Sequence, residues 1–124
     1  KEVSMTVVKI GIHDYTINYV SEHEIGRIKD TNVRLDGFIN HERKEIYINK
    51  DLTEKGQQET LIHEVLHGII GEWNIDKNLN INEELEEKLV TTLAKGLVQV
   101  LEQSNLMDTL KDSESDFIRN GQRQ

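Results

Sequence analysis

Two histidines four residues apart, with a glutamate directly after the first, stand in the run His63-Glu64-Val65-Leu66-His67. Residues i and i+4 of a helix lie one turn apart on one face, so two imidazoles at this spacing can converge on one tetrahedral ion. Glu64 follows His63 by one position and cannot turn to that ion as a further ligand, but it can reach a water at the ion's open position. Zinc lowers the pKa of such a water towards neutrality, and a neighbouring carboxylate can take the proton and pass it to a leaving amine. The chemistry described is peptide-bond hydrolysis with Zn2+ as cofactor, His63 and His67 as ligands and Glu64 as general base. A pattern this short also arises by accident, and two helical histidines are often plain surface residues. Three features weigh against accident: an amphipathic setting, apolar Val65 and Leu66 to anchor the helix, and Gly68 directly after the second histidine. Glycine inside a helix costs about 1 kcal/mol against alanine, which points to a close packing contact there.

Two ligands do not make a catalytic zinc site; a third His, Glu or Asp is required. Glu83, Glu84, Glu86, Glu87 and Asp76 are the nearby candidates, with His41 more remote. Carboxylates gather in the first turn of any helix because they complement its dipole, so most of these have an ordinary explanation. Periodicity singles out Glu86, three residues before Leu89 and four before Val90 in the apolar stripe. A carboxylate there would be buried and would need a partner.

The elements that position these residues divide into a β half and an α half. Val3–Ile10 is rich in β-branched residues, and Gly11-Ile12-His13-Asp14 can turn it back into Tyr15–Val20. Ser21–Lys29 fits a short helix or a loop. Arg34–Asn40 and Glu45–Asn49 flank the polar turn His41–Lys44, with Ile46 and Ile48 on one face of the last strand and Tyr47 on the other. From Asp51 the period changes: Asp51 and Glu54 offer a capping box, and Leu61, Ile62, Val65, Leu66, Ile69, Ile70 and Trp73 recur at helical spacing. Trp73 in that pattern reads as core. Asn74–Asn82 suits a turn, and Asn82 can cap a second long helix with Leu85, Leu89, Leu93, Leu97 and Leu101 at i+4 steps, supported by Val90, Ala94 and Val100. The expected architecture is α+β: a small antiparallel sheet with two helices packed on it, residues 1–105 as a single domain and 106–124 as a polar tail.

Thr60-Leu61-Ile62-His63-Glu64-Val65-Leu66-His67-Gly68-Ile69, followed some twenty residues later by an acidic helix, resembles the ImmA/IrrE-type metallopeptidases of bacterial chromosomes, mobile elements and phages. In that family the third zinc ligand leads a helix of the form E-x-x-A-x-x-F-A-x-x-L. Glu87-Lys88-Leu89-Val90-Thr91-Thr92-Leu93-Ala94-Lys95-Gly96-Leu97 matches the frame, with Val for the first Ala and Leu for Phe. The resemblance thus implies a minimal zincin-like domain with His63, His67 and Glu87 as ligands, one position away from the periodicity argument. Ala94 and Leu97 set the frame independently, so Glu87 is preferred, with Glu83 and Glu86 as alternatives. The resemblance also implies a protein or peptide substrate, such as a transcriptional regulator, and a phage or mobile-element setting. Zincins bind substrate along the strand before the active helix, here Glu45–Asn49, and steady the oxyanion with Tyr, His or Arg; Tyr47, His41 and Arg43 are candidates. The competing expectation is a non-catalytic zinc-containing binding or regulatory protein, and the simplest is an interaction module in which the motif is fortuitous.

Composition narrows the setting. With 23 acidic and 15 basic residues, a formal charge of -8 argues against sequence-independent nucleic-acid binding. The sequence holds no cysteine, which excludes disulfides, thiolate ligands and thiol nucleophiles and fits a reducing interior. No apolar run approaches a spanning helix and no signal-peptide pattern opens the chain, so no membrane role and a cytoplasmic location are expected. His13 and His23 are expected to take no part in catalysis.

Overall fold

A two-residue turn at Gly11 and Ile12 folds the first strands together in the computed structural model, which describes residues 6–103. Gly11 sits at φ 65, a conformation that costs glycine nothing, so the turn is shorter than the four residues expected and β2 starts at His13. Strand β1 (Thr6–Ile10) pairs antiparallel with β2 (His13–Val20). The ambiguous stretch resolves as helix α1 (Glu22–Lys29), capped by the Ser21 hydroxyl, which accepts from the Glu24 N–H, and closed by Asp30 in the left-handed region. Strands β3 (Gly37–Asn40) and β4 (Glu45–Asn49) form the second hairpin; residues 34–36, expected in β3, precede it.

The four-stranded sheet has the order β1-β2-β4-β3. Both hairpins are antiparallel, but β4 runs parallel to β2, so the expected antiparallel sheet is corrected to a mixed one. The long connection through α1 and β3 is what permits this, since parallel neighbours need a crossover that a tight turn cannot supply. Ile10, Tyr15, Ile17, Ile46 and Ile48 form the buried core, with Leu61, Val65 and Ile69 of the first long helix packed on it. Each fully buried isoleucine contributes roughly 1.5–3 kcal/mol.

That helix, α2 (Glu54–Glu72), begins at Thr53, whose hydroxyl accepts from the Gly56 N–H at 3.0 Å. The expected Asp51 box does not form; Asp51 accepts instead from the Glu22 N–H, tying the α2 approach to α1. A short helix α3 (Ile75–Asn78) occupies the polar linker, whose Asn74 and Asn80 adopt positive φ, as asparagine readily does. Helix α4 (Glu83–Leu101) is capped by Asn82, which accepts from the Leu85 N–H at 2.8 Å.

Two helical expectations are corrected. Helix α4 packs on α2 rather than on the sheet. It does so through buried Val90, Ala94 and Val98, while the leucine row from Leu85 to Leu101 stays partly exposed. Each i+4 step over-rotates by about 40°, so five leucines wind away from any one contact line. Trp73 is 55% exposed, at the end of α2 beside a groove lined by Val8, Ile10 and Ile69. The tail at 106–124 lies outside the described residues, and among those described no helix is long and apolar enough to cross a membrane.

Candidate metal centre

Val65 faces the sheet, and His67, two residues on and about 200° around the helix, faces α4. The cleft between α2 and α4 is therefore where the chemistry collects. Small side chains at the contact let the helices approach: Val90 and Ala94 on α4 are fully buried. Glycines do the same for α2 against the sheet. A Cβ on Gly68 would lie 2.8 Å from Ile10 Cδ1 and 3.3 Å from Ile39 Cδ1, which is the close packing expected there. A Cβ on Gly71 would meet the His41 ring at 3.1 Å, and one on Gly37 would meet the Tyr47 carbonyl oxygen at 2.5 Å.

His63, His67 and Glu87 come together, each offering one ligand atom, with all three atoms within 4.8 Å of one another. The Glu87 carboxylate spans the two rings, Oε2 lying 3.2 Å from His63 Nε2 and Oε1 3.0 Å from His67 Nε2. The ring centroids are 4.9 Å apart, edge towards face. Thr91, one turn after Glu87, donates its hydroxyl to Glu87 Oε2 at 3.3 Å and steadies it. Two imidazole nitrogens and one carboxylate oxygen on a cleft open to solvent fit zinc with a position left over for water or substrate.

Glu64 lines the same cleft as His63 and Glu87, yet is only 6% exposed. Burial pushes its carboxyl up to about 7; His67 opposes the rise and Glu87 adds to it. A group titrating near neutrality is poised to exchange a proton. Burial lowers the His63 pKa, with Glu87 partly offsetting it. For His67 burial works in the same direction but is outweighed by the hydrogen-bonded Glu86 and the charges of Glu64 and Glu87, leaving its pKa raised.

The other expected residues separate. Glu86 is drawn to His67, its Oε2 lying 2.7 Å from Nδ1 and away from the Nε2 edge. Glu83 and Asp76 line a cavity of about 630 Å3 beside His67, outside the three-donor cluster. Glu84 is paired with Lys88 on the helix surface. His41 lines the same cavity as His67, and burial, aided by His67, lowers its pKa. Tyr47 and Arg43 are not brought to the centre. Tyr47 stacks on Phe38 and donates to Glu45 on the strand face opposite Ile46 and Ile48, and Arg43 pairs with Glu45 at 3.5 Å. His13 is 3.0 Å from Glu72, whose carboxylate also accepts from Tyr15 and Lys44. These partners, Tyr15 foremost, hold the Glu72 carboxyl down at about 2. His23 borders a different surface hollow, by the loop after α1.

The strand expected to take substrate is also displaced. Because β4 is paired on both sides, its backbone has no free edge, and β3 is the open edge next to the cleft. The Asn49 N–H donates to the Asp36 carbonyl at 2.8 Å, so Asp36, Phe38 and Asn40 share the ladder with β4. Gly37 and Ile39 then turn their N–H and C=O groups outwards. Sequence reading missed this edge, the Glu86 contact and the room made by Gly71; of the site residues it missed, only Thr91 carried a local signal, four residues after Glu87.

Fold and site define a zincin-like, metallopeptidase-type domain: a sheet, a helix bearing H-E-x-x-H, and a following helix that brings a glutamate to the histidines. In agreement, the family model of the IrrE N-terminal-like domain, a peptidase M78 family, matches residues 13–97. This chain belongs to that family. No curated protein and no solved structure matches the chain significantly.

Proposed function

We propose that this chain hydrolyses peptide bonds in a protein substrate, with zinc held by His63, His67 and Glu87 and with Glu64 as the general base. The observation that carries this reading is the convergence of three donor atoms within 4.8 Å beside a buried carboxyl. When bound, zinc supplies a Lewis acid for the scissile carbonyl and acidifies the attacking water. Glu64 takes a proton from that water as its oxygen bonds to the carbonyl carbon. It then returns the proton to the amide nitrogen as the C–N bond breaks, leaving a carboxylic acid and an amine. Gly37 and Ile39 on β3 offer outward N–H and C=O groups to an extended peptide, which would add as a further strand. His41, at the wall of the cavity beside His67, is the group in reach of this cleft that can donate an N–H to the oxyanion while remaining neutral.

The test is a digest of a mixed peptide library followed by mass spectrometry, run beside metal analysis, for the wild type, Glu64→Gln and His67→Ala. Cleavage by the wild type, none by Glu64→Gln with zinc retained, and loss of zinc from His67→Ala is the expected set. Zinc held by the wild type and Glu64→Gln but lost from His67→Ala, with no cleavage by any form, favours a binding or regulatory protein that keeps the metal site.

A further inference from the structure

Two adjacent carboxylates on α4 meet one imidazole of α2 at its two different nitrogens. Glu86 Oε2 is 2.7 Å from His67 Nδ1, while Glu87 Oε1 is 3.0 Å from His67 Nε2. Both members of the Glu86–His67 pair are largely shielded, at 17% and 16% side-chain exposure. Glu87 at 58% exposure faces the open cleft.

From this we infer that Glu86 is a positioning residue: it holds the proton of His67 on Nδ1 and aims the Nε2 lone pair at the metal position. This rests on the proposed zinc reading. The physical argument is one of valence. A neutral imidazole carries one N–H and one lone pair, and a metal needs the lone pair on the nitrogen that faces it. His67 Nε2 lies on the same side as His63 Nε2 and the Glu87 carboxylate, so the lone pair must be there and the hydrogen on Nδ1. The acceptor that fixes that tautomer is Glu86, which also stops the ring from turning about its Cβ–Cγ bond. A carboxylate on the outer nitrogen further makes the inner one a better donor. The two glutamates are about 100° apart on the helix, which lets one reach round the ring while the other stays at its metal edge. Neighbouring carboxylates thereby take two roles, ligand and ligand-holder, and α4 sets the geometry of an imidazole carried by α2.

The experiment uses the whole chain as wild type, Glu86→Ala, Glu86→Gln and Glu87→Ala. Zinc affinity is read by competition with a chromogenic chelator, and cobalt(II), bound in place of zinc, reports coordination through its visible absorption. Glu86→Ala is expected to bind zinc about 10–100-fold more weakly, with the cobalt band at saturation keeping its wild-type shape. Glu86→Gln, whose amide oxygen still accepts from Nδ1–H, is expected to recover most of that loss and guards against a folding defect in the alanine variant. Glu87→Ala is expected to change the band itself. Wild-type affinity in Glu86→Ala, no recovery in Glu86→Gln, or a cobalt band in Glu86→Ala altered as in Glu87→Ala would each overturn the positioning role alone. A wild type that takes up no zinc would overturn the proposed function along with it.

Discussion

Glu64 lines the cleft beside His63 and Glu87 with its carboxyl raised from an ordinary 4.5 to about 7, chiefly by burial. Such a group makes the metal-free fold pay for its chemistry, and the amount can be worked out. Between pH 4.5 and 7 the folded chain keeps a proton on Glu64 that the unfolded chain has released. Stability from this group is therefore full below pH 4.5, falls as pH rises, and is lost above 7. At 1.36 kcal/mol per pH unit the loss is about 3 kcal/mol. Glu64→Gln keeps a similar shape and never ionises, so with chelator present it is expected to match the wild type near pH 4.5 and exceed its stability by about 3 kcal/mol at pH 8. For a domain of this size that is on the order of 10 °C in Tm. The assay is urea unfolding of both forms at closely spaced pH values, since the difference between them cancels every other titrating group. Saturating zinc is expected to narrow the gap, because a nearby cation favours the carboxylate. Parallel stability curves from pH 5 to 8, or a glutamine form no more stable than wild type at pH 8, would refute the claim that burial tunes this carboxyl.

The remaining expectations concern the groups around it. His41→Ala should lower kcat about 100-fold with zinc content unchanged, as loss of an oxyanion donor does; an unaltered kcat removes His41 from the reaction. Gly68→Ala puts a methyl 2.8 Å from Ile10 Cδ1, and repacking should outweigh the helix-propensity gain and destabilise by about 1 kcal/mol in urea unfolding. A stabilised variant would show that the helix–sheet contact has slack. Glu72, held at about 2 by Tyr15, His13 and Lys44, contributes stability above pH 4.5 that is lost as pH falls towards 2, so Glu72→Gln should flatten the wild-type acid transition in that window. An identical acid midpoint in both forms would locate the acid lability elsewhere. N-methylating amides of a cleaved peptide should raise KM by about 3–10-fold for each hydrogen bond lost to β3, whereas uniform tolerance of methylation would exclude strand addition.

Local signals in this chain carried well when the structure answers them locally. Asn82 caps α4 and Gly68 marks a close contact, because a cap needs only its own first turn and a glycine only one missing methyl. The α+β class and the order of elements followed from a period of two giving way to a helical one. Apart from the Asp51 box, whose carboxylate accepts from the distant Glu22 N–H instead, what failed depended on which surfaces met. The leucine row of α4 outnumbers the residues it buries, and the contact line went to Val90, Ala94 and Val98, whose smaller side chains allow a closer approach. Strand order was illegible for the same reason: nothing within β4 says that β2 will occupy one of its edges, yet that pairing leaves the free edge beside the cleft to β3.

Burial and the family frame point to different residues of α4 for the third ligand, Glu86 and Glu87. Periodicity argued that a carboxylate at position 86 would be shielded and must have a partner; the family frame argued for position 87. Periodicity measures burial, and Glu86 is indeed shielded, with His67 Nδ1 as the partner. The frame measures relation to the histidines, and Glu87 lies at both Nε2 atoms. A metal site needs both kinds of residue, one in the cleft to bind and one behind it to hold the binder still. Two signals one residue apart in an acidic first turn are therefore better read as a pair than as rivals. Deleting one residue of the linker 74–82 and inserting an alanine after Glu87 moves Glu87 into the place of Glu86 and leaves alanine in the ligand's place, which should abolish zinc binding by chelator competition although both glutamates are still present.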